Sequence, residues 1–278
     1  MKLVLVRVGR VFVAAAIAAV AGSCAHLAAA GAPDVRVLVY NIHAGWDAAG
    51  KVNLDRVAAH IRETHADVVL LQEVDRFTTR SNNVDQVAHL ARATGMRSAF
   101  GKTLDYQGGE YGIAILSRWP VRGDTLIRLR VEPPQQRAGG RYEPRGVLYA
   151  VLARPGGDVH VFNTHIDASA DDRYRLQEIR AVAAAAARVR SGARVLVGGD
   201  LNATPESGVL AYILGDNWRD AFAECGTGGG LTYPANTPVK RIDYLLLSSG
   251  WHCREAQVLE TQASDHRPLL VRLAAVPH

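Results

Sequence analysis

Runs of apolar residues alternate along the chain with segments whose apolar positions recur at helical spacing. Near-continuous apolar runs are typical of buried strands, and a spacing of three to four residues is typical of amphipathic helices. The runs predict strands over residues 35–40, 66–74, 111–118, 121–131, 146–153, 158–166 and 195–200, and further strands after residue 231. The helical spacing predicts helices over residues 54–63, 84–94 and 171–189.

The order of these elements indicates the fold class. Four strand-like segments between residues 111 and 166 follow one another directly, which favours antiparallel pairing there. Helices separate the other strands, and helices interleaved with both kinds of strand are typical of an α/β architecture with mixed sheets. The irregular segment 132–146 predicts a long hairpin connection at the rim of a site rather than a domain boundary.

The first thirty residues have a different character from the rest. Lys2, Arg7 and Arg10 precede an uncharged apolar stretch over 11–25, and small residues follow it. This stretch is shorter than the ~20 residues of a spanning helix, and the pattern predicts an export signal over residues 1–30. An uncleaved anchor is one alternative. Another is lipidation of Cys24, because residues 21–24 are similar to a lipoprotein box, although the usual large aliphatic residue is missing three positions before the cysteine.

The remaining 31–278 are predicted to form a single domain. A composition with 48% hydrophobic and 21% charged residues is ordinary for a globular chain. The net charge of +5 includes the three basic residues of the predicted signal, so charge alone gives little support for nucleic-acid binding. Cys225 and Cys253 would form a disulfide in an exported domain or remain as two buried thiols, and the sequence leaves both open.

Polar residues recur where the predicted strands end. Asp200 and Asn202 follow an apolar run and two glycines, and residues two apart in a strand share a face. A single such residue is commonly a cap or a turn residue, but the pattern occurs at six strand ends. We therefore predict that the strand tips converge on a cleft. The other residues of the pattern are Asn41, His43, Glu73, Asn163, His165, Asp167, Asp243, Asp265 and His266.

This set of side chains narrows the chemistry. The sequence has no Gly-x-Ser-x-Gly elbow and no cysteine within these segments, which argues against acyl transfer. The carboxylates of Glu73 and Asp265 are hard oxygen ligands that suit Mg²⁺ or Mn²⁺. Metal-assisted phosphoester hydrolysis further needs a base, an oxyanion donor and an acid. His165, His266 and the asparagines can supply these.

Seven ordered segments carry a resemblance to a known family. The chain resembles the endonuclease/exonuclease/phosphatase superfamily, the fold of deoxyribonuclease, apurinic endonuclease, neutral sphingomyelinase and inositol-polyphosphate phosphatase. The resemblance runs from about residue 35 to 273 and implies a four-layer α/β sandwich, with two mixed β-sheets flanked by helices. The segments are YNIH (40–43), LQEV (71–74), GGEYGIAILSR (108–118), NTHID (163–167), GGDLNATP (198–205), RIDYLLL (241–247) and SDHRP (264–268).

The resemblance also implies a role for each matched residue. Glu73 would be the principal Mg²⁺ ligand, with Asn41 and Asp265 nearby. Asp200 and Asn202 would hold the attacking water and the phosphate. His266, paired with Asp243, would be the general base or an imidazolium on the phosphate, and His165 would contact the phosphate or act as the acid, oriented by Glu110. His43 departs from the pattern, since several nucleases of the family have an acidic ligand there. We expect it to donate from outside the ligand shell; the alternative is a ligand that favours metals softer than Mg²⁺.

These observations predict an exported, divalent-metal-dependent phosphodiesterase. Its substrate would be nucleic acid or phospholipid, and we expect a monomer with possible peripheral membrane contact. A nuclease would use the basic loop residues Arg137, Arg141 and Arg145 with Tyr142. A sphingomyelinase-like phospholipase would use an apolar rim, for which Trp46 and Tyr106 are candidates. The alternative from another class is a non-catalytic phosphate- or lipid-binding protein on the same scaffold.

Overall fold

The computed structural model describes residues 33–134, 143–169, 171–215 and 218–276. The predicted export signal, Cys24 and the loop residues Arg137, Arg141 and Tyr142 lie outside the described residues, so the predictions made for them stay predictions. The strands are β1 (Val35–Asn41), β2 (Val68–Arg76), β3 (Arg97–Tyr106), β4 (Gly109–Ser117), β5 (Val121–Leu129), β6 (Arg145–Leu152), β7 (Val159–His165), β8 (Arg194–Asp200), β9 (Arg219–Asp220), β10 (Asp243–Leu247), β11 (Trp251–Val258) and β12 (Leu269–Ala275). The α-helices are α1 (Leu54–Glu63), α2 (Gln86–Thr94), α3 (Arg173–Ala186), α4 (Gly208–Leu214) and α5 (Ala221–Cys225).

The strands form two six-stranded sheets. The first sheet has the order β11-β12-β1-β2-β4-β3, and the second has the order β5-β6-β7-β8-β10-β9. β1 pairs with β2 and β7 pairs with β8 in parallel, while the remaining pairs are antiparallel. The predicted α/β sandwich with two mixed sheets is therefore confirmed. The predicted antiparallel run holds for β5-β6-β7, whereas β4 pairs with β2 and β3 in the other sheet.

The layers follow from strands that are buried on both faces. In β1, Val37 and Val39 pack between the two sheets, while Leu38 and Tyr40 pack toward α1 and α2. A second helical layer, from α3 and α4, covers the outer face of β7 and β8. The sheets approach each other closely at Gly198, where an added Cβ would lie 2.7 Å from Leu70 Cδ1. The continuous apolar runs of the sequence thus correspond to strands with no solvent-facing side.

Strand direction gathers the polar strand ends at one edge of the sandwich, which we call the catalytic edge. β1, β2, β7 and β8 finish at this edge, and the antiparallel strands β10 and β12 begin there. His165 is in register with Asp200 across the parallel pair, and Asp200 is in register with Asp243 across the antiparallel pair. The predicted convergence of the strand ends is therefore present.

A disulfide links the two sheets at the side where β9 and β11 are their outer strands. Cys225 ends α5, directly after the edge strand β9 of the second sheet, and Cys253 lies in the edge strand β11 of the first sheet. The two residues are bonded, with their Cα atoms 5.8 Å apart. This decides between the two alternatives that the sequence left open, a disulfide or two buried thiols.

In the described part of the chain, no helix combines the length and the apolar character that crossing a membrane needs.

Candidate active site

A cleft of about 1600 Å³ opens at the catalytic edge. Its lining contains Glu73, His165, Asp200, Asn202, Asp265 and His266, six of the nine residues that the sequence analysis singled out as catalytic or metal-binding. Two more, Asn41 and Asp243, are buried directly behind this lining, where they hydrogen-bond to lining residues.

Asp200 lies at the centre of the polar group. Its Oδ2 accepts a hydrogen bond from Asn41 Nδ2 at 3.1 Å, and it lies 3.6 Å from His165 Nε2 and 3.7 Å from His266 Nε2. Burial and the neighbouring carboxylate of Asp243 both raise the pKa of Asp200. A carboxylate that two imidazoles and an amide surround is placed to hold a water molecule or a phosphate oxygen among proton donors.

The backbone around Asp200 explains the two glycines before it. Gly199 has a φ of +138°, and a Cβ there would lie 1.8 Å from the carbonyl oxygen of Thr164. Only glycine fits this close approach of β8 to β7. After the strand, Asn202 has a φ of +45° and its N–H donates to Asp200 Oδ1 at 2.9 Å. Asn202 Nδ2 donates to the carbonyl oxygen of Ile166, which fixes the amide at the floor of the cleft.

His266 is held by a buried carboxylate. Its Nδ1 lies 2.9 Å from Asp243 Oδ2, and the ring of Tyr233 packs against the imidazole at 4.8 Å between centroids. Burial alone would lower the pKa of His266, but the carboxylates of Asp243 and Asp200 outweigh it and raise the pKa above its ordinary range. This favours an imidazolium that donates from Nδ1 to Asp243 and presents Nε2–H toward Asp200.

Glu73 enters the cleft through an irregularity in β2. The pairing of β2 with β4 shifts register between Leu71 and Val74, and Glu73 in this bulge has a φ of +55°. Asn41 Nδ2 donates to Glu73 Oε1 at 3.1 Å as well as to Asp200. The oxygen of the same amide accepts the N–H of His43. Asn41 therefore lies beside Glu73, as expected, and holds the two carboxylates with its nitrogen.

The donor set fits a divalent cation. Asp200, Asp243 and His266 each offer a ligand atom within 4.8 Å of the others, and Asp243 Oδ1 is buried with no hydrogen-bond partner among the described residues. Glu73 and Asp265 add carboxylates to the cleft lining, and His43 Nδ1 lies 3.8 Å from Asp265 Oδ1. Carboxylate oxygens are the ligands that hard divalent cations prefer. Both groups offer ligands, since Glu73 and Asp265 are partly exposed to the cleft and Asp200, Asp243 and His266 are buried at its base.

Glu110 does not occupy the predicted position, and this corrects the sequence analysis. Its carboxylate pairs with Arg76 Nη1 at 3.0 Å and lies 3.6 Å from Lys102 Nζ, and it is absent from the described lining of the cleft. These two cations hold Glu110 on the β2–β4 ladder, so it is not the residue that orients His165. Asn163, another member of the pattern, joins the sheets by donating to the carbonyl oxygens of Leu71 and Ala114.

The cleft also contains residues that the sequence analysis did not assign to the site, or assigned only loosely. Arg145 begins β6, is buried, and pairs with Glu143 at 2.8 Å. Arg80 pairs with the buried Asp75 at 2.7 Å and stacks on Tyr106 and Tyr111. Tyr106 lines the cleft, whereas Trp46 does not. No sequence pattern separates a buried arginine from an exposed one, so the sequence analysis placed Arg145 only among the basic residues of a loop.

The geometry of the site and the comparison with protein families together define the class of this protein. The model of the Endonuclease/Exonuclease/phosphatase family matches residues 38–266, and the chain belongs to this family. It is a divalent-metal-dependent hydrolase of phosphate ester bonds, which confirms the predicted enzyme class.

Individual relatives show how far the likeness extends. YbhP of Escherichia coli, described as uncharacterized, is 27% identical over 247 residues, which cover 84% of this chain and 94% of YbhP. An endonuclease/exonuclease/phosphatase from Beutenbergia cavernae superposes with a TM-score of 0.73 at 23% identity, covering 87% of this chain and 72% of that one. A mannosyl-6-phosphatase from Bacteroides thetaiotaomicron gives a TM-score of 0.70 at 18% identity, covering 86% and 99%. At these identities the solved structures show the shared fold alone.

Proposed function

We propose that the protein is an exported, magnesium-dependent phosphodiesterase. The observation that carries this proposal is the position of Asp200, with its carboxylate among His165, His266 and Asn41 at the base of an open cleft. Asn41 donates to this carboxylate and both imidazoles lie within 3.7 Å of it, so acidic and basic groups stand together, as water attack on a phosphate requires.

Each side chain has a distinct task in this proposal. Glu73 and Asp265 would hold the cation, which supplies Lewis-acid polarisation of the phosphate and activation of water when it is bound. Asp200 and Asn202 orient the attacking water. His266, kept protonated by Asp243, donates Nε2–H to a phosphate oxygen, and His165 protonates the leaving oxygen. Asp200 takes the proton of the attacking water as the water oxygen bonds to phosphorus, the bond to the leaving alcohol breaks, and a phosphate monoester and an alcohol result.

The charge of the cleft favours a single phosphodiester over a polyanion. Acidic residues outnumber basic ones in the described lining, and a nucleic-acid channel would need the opposite balance. This supports a substrate with one singly charged phosphate in contact with the cleft. The basic residues are Arg80, Arg145, Arg175 and Lys240, and the acidic residues are Glu73, Asp105, Glu143, Asp171, Asp172, Asp200, Glu206 and Asp265.

The disulfide supports the export part of the proposal. Cys225 and Cys253 are bonded, and structural disulfides persist in oxidising compartments such as the periplasm or the extracellular space. The basic and apolar N-terminal pattern leads to the same proposal independently.

The test is turnover by the purified protein on an aryl phosphodiester and an aryl phosphomonoester, each with Mg²⁺, Mn²⁺ or chelator. The proposal expects turnover of the diester that needs Mg²⁺ and that disappears in Glu73→Gln. Glu63→Gln is the matched control, because Glu63 is exposed on α1 away from the cleft. Faster turnover of the monoester, or turnover that survives chelation, would contradict the proposal.

A further inference from the structure

A tyrosine to which the proposed function gives no task lies in the cleft beside His266. Tyr233 is half-buried and belongs to the cleft lining. Its ring is tilted by 46° against the imidazole of His266, with 4.8 Å between the ring centroids. Tilted aromatic pairs at this separation attract each other. Because Asp243 binds the imidazole at Nδ1, Tyr233 supplies a second and independent contact that holds the ring.

The backbone fixes this contact on both sides of His266. The N–H of Ala235 donates to the carbonyl oxygen of Asp265 at 2.7 Å. The N–H of Arg267 donates to the carbonyl oxygen of Thr232 at 2.7 Å, and Arg267 Nε donates to the carbonyl oxygen of Ala235. Both chain neighbours of His266 are therefore bonded to the segment that carries the tyrosine, so the approach of the two rings is built into the fold.

The same segment is also tied to the sheet that carries Asp243. Tyr233 and Lys240 face each other in an isolated antiparallel bridge, and their backbones exchange hydrogen bonds of 3.0 and 2.9 Å. Residues paired in this way project their side chains to one side, and both line the cleft. Thr232 Oγ1 accepts the N–H of Ile242, the residue directly before β10. The position of the tyrosine relative to β10 is thus fixed.

The hydroxyl of Tyr233 is a hydrogen-bond donor beside the carboxylates of the site. Burial raises the pKa of this phenol, and three nearby carboxylates raise it further, those of Asp265, Glu73 and Asp200. The phenol therefore keeps its proton at neutral pH. Within the described part of the chain, the hydroxyl forms no hydrogen bond. A fixed donor whose acceptor must come from the cleft is the element that stabilises negative charge on a substrate oxygen.

We propose that Tyr233 is a further catalytic residue: its hydroxyl donates a hydrogen bond to an oxygen of the phosphate, and its ring keeps Nε2 of His266 directed at the same phosphate. This rests on the proposed function, in which His266 donates to a phosphate oxygen, and it adds a second donor beside the first. The phenol neither takes nor gives up a proton. The two donors share the negative charge that gathers on the phosphate oxygens as water attacks.

Two substitutions separate the hydroxyl from the ring. Tyr233→Phe removes the hydroxyl and keeps the ring against His266, whereas Tyr233→Leu removes both. With an aryl phosphodiester and Mg²⁺, we expect the kcat of Tyr233→Phe to fall roughly tenfold to a hundredfold with little change in KM, the usual effect of losing one donor to a charged oxygen. The kcat of Tyr233→Leu should fall roughly tenfold further, because the imidazole is then less well oriented.

The control variant is Tyr212→Phe. It removes the hydroxyl of an exposed tyrosine on α4, which does not belong to the described lining of the cleft. Its kcat and KM should equal those of the native chain. A native kcat in Tyr233→Phe would overturn the contact of the hydroxyl with the phosphate, and a native kcat in Tyr233→Leu would overturn the role of the ring as well.

A binding measurement separates this inference from the proposed function. Calorimetry with inorganic phosphate, in the presence of Mg²⁺, measures the contact without any reaction. The phosphate dianion resembles the charge that the diester acquires during attack, so we expect Tyr233→Phe to bind it roughly tenfold more weakly than the native chain and Tyr212→Phe to bind it equally. Unchanged phosphate affinity in Tyr233→Phe would overturn the inference and leave a phosphodiesterase. Weakened affinity, in a chain whose native form hydrolyses no diester, would overturn the proposed function and support Tyr233 as the phosphate contact.

Discussion

Removing the Cys225–Cys253 disulfide should lower stability by an amount set by the length of chain it closes. The bonded residues are 28 apart in sequence. Loop-closure entropy for a loop of this length gives about 3.6 kcal/mol at 25 °C. The non-covalent contacts at this site would remain, because Arg219 still pairs with Glu224 at 2.7 Å and Glu224 still accepts the N–H of residue 253. The entropic loss should therefore appear almost undiminished.

Urea unfolding of the native chain and of Cys225→Ser/Cys253→Ser measures this difference. In a domain of this size, the loss corresponds to a fall in Tm of about 7–14 °C. A reducing agent should reproduce the loss in the native chain and leave the variant unchanged, which controls for the serine side chains. A difference below about 1 kcal/mol, with equal m-values, would refute the entropic reasoning.

Three further outcomes are expected. Asp243→Asn keeps the shape of the site but removes the charge that holds the imidazolium, so turnover should fall about 100-fold or more while the circular dichroism spectrum is unchanged; wild-type turnover would contradict that role. Gly199→Ala should lower the free energy of unfolding in urea by more than about 2 kcal/mol, because its Cβ would lie 1.8 Å from a carbonyl oxygen of β7. Gly123→Ala should leave the free energy of unfolding nearly unchanged, because an added Cβ there meets no atom within 4 Å. Chelation should abolish turnover and added Mg²⁺ should restore it, and calorimetry should show Mg²⁺ binding to the native chain but not to Glu73→Ala.

Much of the fold could be predicted from apolar patterning, because the central strands are buried on both faces. Residues 68–71 form such a run and lie in β2, which is buried through that stretch. β3 was missed, because it is an edge strand whose residues alternate between buried and partly exposed positions and include a glycine. The short helices α4 and α5 were missed as well, since seven and five residues are too few for a helical period to be evident.

The candidate site, like the fold, could be predicted from the sequence only in part. Short segments such as GGDLNATP predicted the place of Asp200 and Asn202, because strand ends fix where side chains emerge. They did not predict which atoms meet. Glu110 is held by Arg76 and Lys102, a pairing between residues on adjacent strands that depends on the bulge in β2. Asn41 turns its nitrogen toward the carboxylates because the N–H of His43 occupies its oxygen, and a local backbone turn of this kind leaves no pattern in the sequence.

The distribution of backbone strain connects the fold to the chemistry. Nine non-glycine residues of the described ranges have positive φ; eight of them lie at the catalytic edge, and His65 between α1 and β2 is the exception. Glu73 and Asn202 are among them, so the predicted metal ligand and the amide beside Asp200 share this feature. Each such position costs about 1 kcal/mol or more, which the apolar layers behind the edge must offset. Substitutions that relax Glu73 or Asn202 toward ordinary backbone geometry would add stability and move the carboxylate or amide out of the cleft. Stability and activity are therefore opposed at the catalytic edge. The disulfide beside β9 and β11 lies away from that edge, so we expect it to affect stability without affecting activity.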